Sequence, residues 1–201
     1  TGQDSPVLDK KVVFTLAADH GVTDEKVSAY PREVTPQMVY NFLRNGAAVN
    51  VLSKSVGAKV IITDIGVAVD LDLKGYDLAN FRLKKIGYGT KNFAKGPAMS
   101  REAAIKSIET GIDLVEEQLK SGVNAVNLIG IGEMGIGNTT SASAISSVIT
   151  GVPVEQITGK GTGIDDTVLK HKIDVIKRSI DLNKPNPADA IDVLSKVGGY
   201  E

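Results

Sequence analysis

Three short runs, KVVFTL at 11–16, VIITDI at 60–65 and AVNLIGI at 125–131, most constrain what this chain can become. Each is almost continuously apolar and rich in β-branched residues, as in strands covered on both faces. They are too short for buried helices, which need ten residues or more. Strands of this kind require helices on both sides of a sheet. Helical patterns lie between and after the runs: parallel pairing with crossover helices follows.

The helices have readable ends. From Thr35, a good N-cap, PQMVYNFLRNG reads as a helix with Pro36 at its first position. Residues 47–56 read as a second helix, closed by Gly57. Ser100 caps a long helix whose Ile105, Ile108, Ile112, Val115 and Leu119 follow helical spacing, with Gly122 at its end. Further helices are expected at 139–149, 165–182 and 187–196. The stretch 66–95 has no clean period and reads as a long excursion with short strands. No internal repeat or linker interrupts the pattern, so one α/β domain over 1–201 is expected.

Charge and composition exclude several functions. Lys plus Arg number 23 against 24 acidic residues, so no net field recruits nucleic acid or an anionic membrane. There are no cysteines and two histidines, too few for a thiolate or histidine metal cage. No apolar run approaches the roughly 20 residues that span a bilayer, and 1–10 lacks a signal-peptide core. A cytoplasmic protein is the expectation. Glycine is abundant at 21 while aromatics are 4%, a profile suited to tight βα turns.

Two of those turns carry chemistry. Residues 130–135 fit G-x-G-x-x-G, and GEMGIGNT at 132–139 resembles a phosphate-binding loop with Asn138 where its lysine would stand. Both patterns set backbone N–H groups at a helix N-terminus, which favours an anion. Losing the lysine argues against a triphosphate with Mg²⁺; a monophosphate needs less charge. Thr139, Thr140 and Ser141 add hydroxyl donors. The plainer reading is a tight connection whose glycines permit close packing. Glu133 weighs against that, since a carboxylate in an anion-favouring turn suits a ribose hydroxyl or a developing positive charge. The second turn, GKGTG at 159–163, precedes a helix with an inward stripe of Leu169, Ile173, Ile176 and Ile180. Lys172 lies at the rim of that stripe, either as a snorkelling surface residue or as the partner of a phosphate or carboxylate.

Asp19 and His20 follow the first strand and point to the same sheet edge. Asp19 capping a turn and His20 packing under a loop is the bland alternative. A Ser-His-Asp triad is allowed by composition, but no G-x-S-x-G elbow is present. Met38 and Phe42 share a helix face, as core or as the wall of a ring pocket.

Taken together, AADHGV at 17–22, YPREVTPQMVYNFL at 30–43, GPAMSREAA at 96–104, GIGEMGIGNTT at 130–140, GKGTG at 159–163 and NKPNPADAIDVLSKVGGYE at 183–201 resemble the nicotinate-nucleotide:dimethylbenzimidazole phosphoribosyltransferases of cobalamin lower-ligand synthesis. The resemblance implies a Rossmann-like parallel sheet flanked by helices, a homodimer and no cofactor. It also implies transfer of phosphoribose from nicotinate mononucleotide to a benzimidazole-type base. Carried onto this sequence, Glu133 lies at the ribose or reacting centre. Gly135, Asn138, Thr139 and Thr140 frame the nucleotide, and Gly161, Gly163 and Lys172 support its phosphate. Asp19, His20, Tyr30, Gln37 and Met38 fall at the base pocket. The family also has an N-terminal KPPGSLG-like motif and a C-terminal region holding the glutamate proposed as general base; these 201 residues match neither. The helical small domain is therefore expected to be missing, and Glu201 does not match the family base. An inert binding module is the alternative. An NAD-dependent oxidoreductase fits poorly, because Glu155, its candidate ribose reader, follows Pro153 outside any strand pattern.

Overall fold

A computed structural model describes residues 4–5, 7–120 and 126–201. Four strands, β1 (Lys11–Ala18), β2 (Ala58–Gly66), β3 (Phe81–Leu83) and β4 (Leu128–Met134), pair in parallel in the order β3-β2-β1-β4. All three apolar runs contribute strands. The third begins later than expected, and Ala125 lies outside the described residues. Its ladder with β1 continues to the pair Ala17 and Met134, so Gly132 and Glu133 belong to the strand rather than to the turn. The 66–95 excursion holds one strand, β3.

Among the described residues seven α-helices accompany the sheet: α1 (Val34–Leu43), α2 (Ala48–Ser55), α3 (Arg101–Leu119), α4 (Asn138–Thr150), α5 (Val154–Ile157), α6 (Asp166–Asn183) and α7 (Ala190–Val197). Strand alternation sorts their partners. Ala17 and Ile62 face Val39, Phe42 and Leu43 of α1. Val12 and Phe14 face Leu114 of α3. Ala18 and Ile65 enter the main cluster with Ala144 of α4, Val175 and Ile176 of α6 and Val193 of α7. Among the described residues no helix is long and apolar enough to cross a membrane.

Several local expectations are corrected. Thr35 is not an N-cap: turns from Pro31 and Arg32 start α1 earlier, with Glu33 at the cap. The Thr35 hydroxyl instead accepts the Ile136 N–H at 3.1 Å, tying α1 to the first glycine turn. The last helix starts at Ala190 rather than Pro187, because the Asp189 carboxylate caps the Ile191 and Asp192 N–H groups. Ser100 does cap α3, accepting from Ala103 at 3.1 Å. The face of α3 differs, however. Ala104, Ser107, Thr110, Leu114 and Gln118 are buried, while Ile105, Ile108, Ile112 and Leu119 are exposed. Small residues let α3 pack closely against α7, and Ile108 lines one apolar cavity with Ile131 of β4, 84% exposed.

Candidate active site

The connection from β1 leads to β2 on one side, whereas β4 pairs on the other. The crevice between the carboxyl ends of β1 and β4 is thus the switch point of the sheet, where α/β folds bind ligands. β1 delivers Asp19 and His20 to it, and β4 delivers Glu133. The chain then turns through Gly135 and Gly137 into α4. A Cβ on Gly135 would overlap the Ala18 carbonyl oxygen and sit 3.1 Å from the His20 ring. Gly137 has φ +95°, and a Cβ there would meet the Thr23 methyl group at 2.9 Å. Close packing therefore explains these glycines. The turn nonetheless opens on a cavity.

That cavity, about 370 Å³, is lined by Glu133, Asn138, Thr139, Lys160, Gly161 and Lys172. The rim position expected for Lys172 is corrected. The buried arc of α6 runs through Lys172, Val175, Ile176 and Ser179, and Lys172 is 1% exposed. Its ammonium donates to the Thr139 hydroxyl at 2.7 Å and to the Gly159 carbonyl at 3.3 Å. An ammonium carries three N–H donors, so one remains available at the cavity wall. Burial pulls the Lys172 pKa down, and an anion beside it would reverse that. The N-terminal N–H groups of α4 add partial positive charge at the same wall. Gly161 and Gly163 hold φ of +57° and +101°, left-handed values that shape the second turn. Thr140 is fully buried, its hydroxyl oxygen lacking a hydrogen-bond partner among the described residues, and it does not line the cavity.

Glu133 also faces a second, apolar cavity of about 480 Å³, shared with Glu201, Tyr200, Leu16 and Ile108. Burial, then the Glu201 charge, push the Glu133 carboxyl up, and His20 partly offsets them. The His20 ring is wholly enclosed. Its Nε2 meets the Glu201 carboxylate and its Nδ1 lies 3.1 Å from the Ser141 hydroxyl. Burial lowers the imidazolium, but the charge and hydrogen bond of Glu201, with Glu133 and Asp19, raise it further, and the net direction is upward. A Cβ on Gly199 would overlap the ring, so only glycine lets Glu201 fold back onto His20. Ser141 is 3% exposed, and this Ser-His-Glu line offers no nucleophile to a substrate.

Asp19 and His20 stand behind the first cavity rather than on its walls. The Asp19 carboxylate accepts the Ala68 N–H at 2.7 Å at the strand end, and burial raises its pKa despite that amide and the nearby Thr35 hydroxyl. Tyr30 and Gln37 are exposed, and Met38 packs with Met134 against the α1 face of the sheet; none of the three lines the cavity. Sequence reasoning set Glu201 aside as not matching the family base and did not foresee its contact with His20. The Gly-Gly pair at 198–199 was its available signal, since glycine before a buried carboxylate marks a close approach. Among the described residues no group of three or more potential ligands is placed to hold a metal ion.

The family model described as Phosphoribosyltransferase matches residues 1–201. The nicotinate-nucleotide–dimethylbenzimidazole phosphoribosyltransferase of Geobacter sulfurreducens is 54% identical over 201 residues, covering 100% of this chain and 55% of the relative. The protein of the same name from Desulforamulus reducens is 56% identical over 192 residues, covering 96% and 53%. The crystal structure of CobT from Thermus thermophilus superposes with a TM-score of 0.88 at 38% identity, over 98% of this chain and 56% of that one. The chain spans about half the length of the curated relatives it matches. The likeness carries the parallel sheet with flanking helices.

Proposed function

This chain belongs to the nicotinate-nucleotide–dimethylbenzimidazole phosphoribosyltransferase family, and from that premise we propose that it is the nucleotide-binding core of an enzyme of that activity. In this reading phosphoribose passes from nicotinate mononucleotide to 5,6-dimethylbenzimidazole, giving α-ribazole 5′-phosphate and nicotinate. The chain acts as one α/β unit within a cytoplasmic homodimer and needs no cofactor.

The observation that carries the reading is the buried Lys172 ammonium lining the same cavity as Glu133. Lys172, Gly161 and the N-terminus of α4 suit the 5′-phosphate. The ribose then extends toward Glu133. Nicotinate leaves with the electron pair of its bond to C1′, turning a cationic ring nitrogen neutral. Positive charge develops on the sugar, and the Glu133 carboxylate faces it. An imidazole nitrogen of the acceptor forms the new bond from the opposite face, and its N–H proton passes to a base.

Incubating the protein with both substrates and measuring α-ribazole 5′-phosphate by mass spectrometry tests this. Product is expected, with Glu133→Gln slowing turnover about 100-fold or more. Binding of nicotinate mononucleotide without product would instead favour an inert nucleotide- and benzimidazole-binding module.

A further inference from the structure

We propose that His20 is a positioning residue: enclosed behind β1, it clamps Glu201 beside Glu133 and supplies the positive charge that lets Glu133 stand ionised at the reacting centre. The inference deepens the functional reading and rests on it for the place of Glu133.

The geometry can hold a charged ring, since Nε2 meets a carboxylate and Nδ1 a hydroxyl that can accept. Glu133 and Glu201 share the walls of one cavity, and the second Glu201 oxygen, Oε2, is buried without a partner among the described residues. The Glu201 charge opposes ionisation of Glu133, and a cation at His20 counters it. The groups facing the ring are Glu201 from the segment after α7, Glu133 from β4 and Asp19 from the end of β1, with uncharged Ser141 from α4. Arg32 offsets part of the Asp19 charge, and Lys172 stands at the wall of the other cavity. The imidazole is thus the cation common to all three carboxylates. Gly135 and Gly199 leave it no room to turn away, since side chains at either position would press on the ring. With both nitrogens bonded, Ser141 and Glu201 fix its plane. A neutral glutamate at 133 would lose the charge that opposes the developing cation on the sugar.

The chain has only two histidines, and His171 is exposed, so nitrogen NMR of histidine-labelled protein isolates the ring, with His171→Asn for assignment. The His20 ring is expected to lose its proton above pH 6.5. Glu201→Gln lowers that titration by the largest step, since Glu201 makes both the charge contact and the hydrogen bond. Glu133→Gln lowers it by a smaller step, and by reciprocity the ring exerts the same step on Glu133. In the transfer assay His20→Gln therefore moves the acid limb of the kcat/KM profile to higher pH by that step. A ring already neutral at pH 6, or one whose titration ignores Glu133→Gln, overturns the inference. So does a uniform loss of rate with an unmoved limb, which marks a structural role only. The NMR arms need no turnover, so a protein that makes no product can still pass or fail them separately from the functional reading.

Discussion

The turn at 134–138 and the turn at 159–163 border one cavity, yet glycine answers different demands in each. In the first, Gly135 and Gly137 are crowded by the Ala18 carbonyl, the His20 ring and Thr23. In the second, a Cβ on Gly159 or Gly163 would meet nothing within 4 Å, and left-handed φ at Gly161 and Gly163 sets the path instead. One turn is locked into the sheet and follows directly on Glu133 at the end of β4. The other is shaped by backbone conformation and brings Gly161 and Lys160 to the cavity. Similar glycine-rich strings thus encode a rigid wall and an adaptable one.

Substitutions by alanine sharpen or break that contrast. Gly135→Ala has the largest expected effect, because the obstacle is backbone: about 3 kcal/mol lost in urea unfolding. A loss below about 1 kcal/mol would mean that the wall is not locked. Gly161→Ala comes next, at about 1–2 kcal/mol for a left-handed alanine. Its Cβ would lie 3.0 Å from the Thr139 hydroxyl that Lys172 bonds, so nucleotide affinity should fall together with stability. Gly159→Ala is the smallest, within about 0.5 kcal/mol, since neither space nor φ opposes it. A Gly159→Ala variant less stable than Gly135→Ala would reverse the comparison.

The same contrast explains how far the sequence could be read. The strands were legible because short apolar runs leave no polar alternation to confuse them. Only β1 and β2 are largely buried, however; β4, expected to be covered on both faces, is largely exposed at the edge of the sheet. Ser100 was legible as a cap because capping is local. The stripe of α3 was not: helical spacing identifies an apolar face, but the faces of α3 compete, and the one that packs is lined by Ala104, Ser107 and Thr110. Close approach selected small side chains over isoleucines. Lys172 looked like a rim residue because spacing places it beside the stripe, whereas its burial depends on Thr139, 33 residues away. Glu201 was hidden for the same reason at greater range, since its partner His20 lies 181 residues earlier. Local signals gave the elements, and the site is built from pairings that no local signal records.

Lys172 is the point where the account is most exposed. Calorimetric titration of nicotinate mononucleotide into the wild-type protein and Lys172→Met tests it directly. The account predicts about 10–100-fold weaker binding in the variant, the value of a hydrogen bond to a charged group. Thermal stability should be unchanged or improved, because a buried ammonium is removed. Equal affinity in a folded Lys172→Met protein would contradict the assignment of this cavity to the nucleotide phosphate.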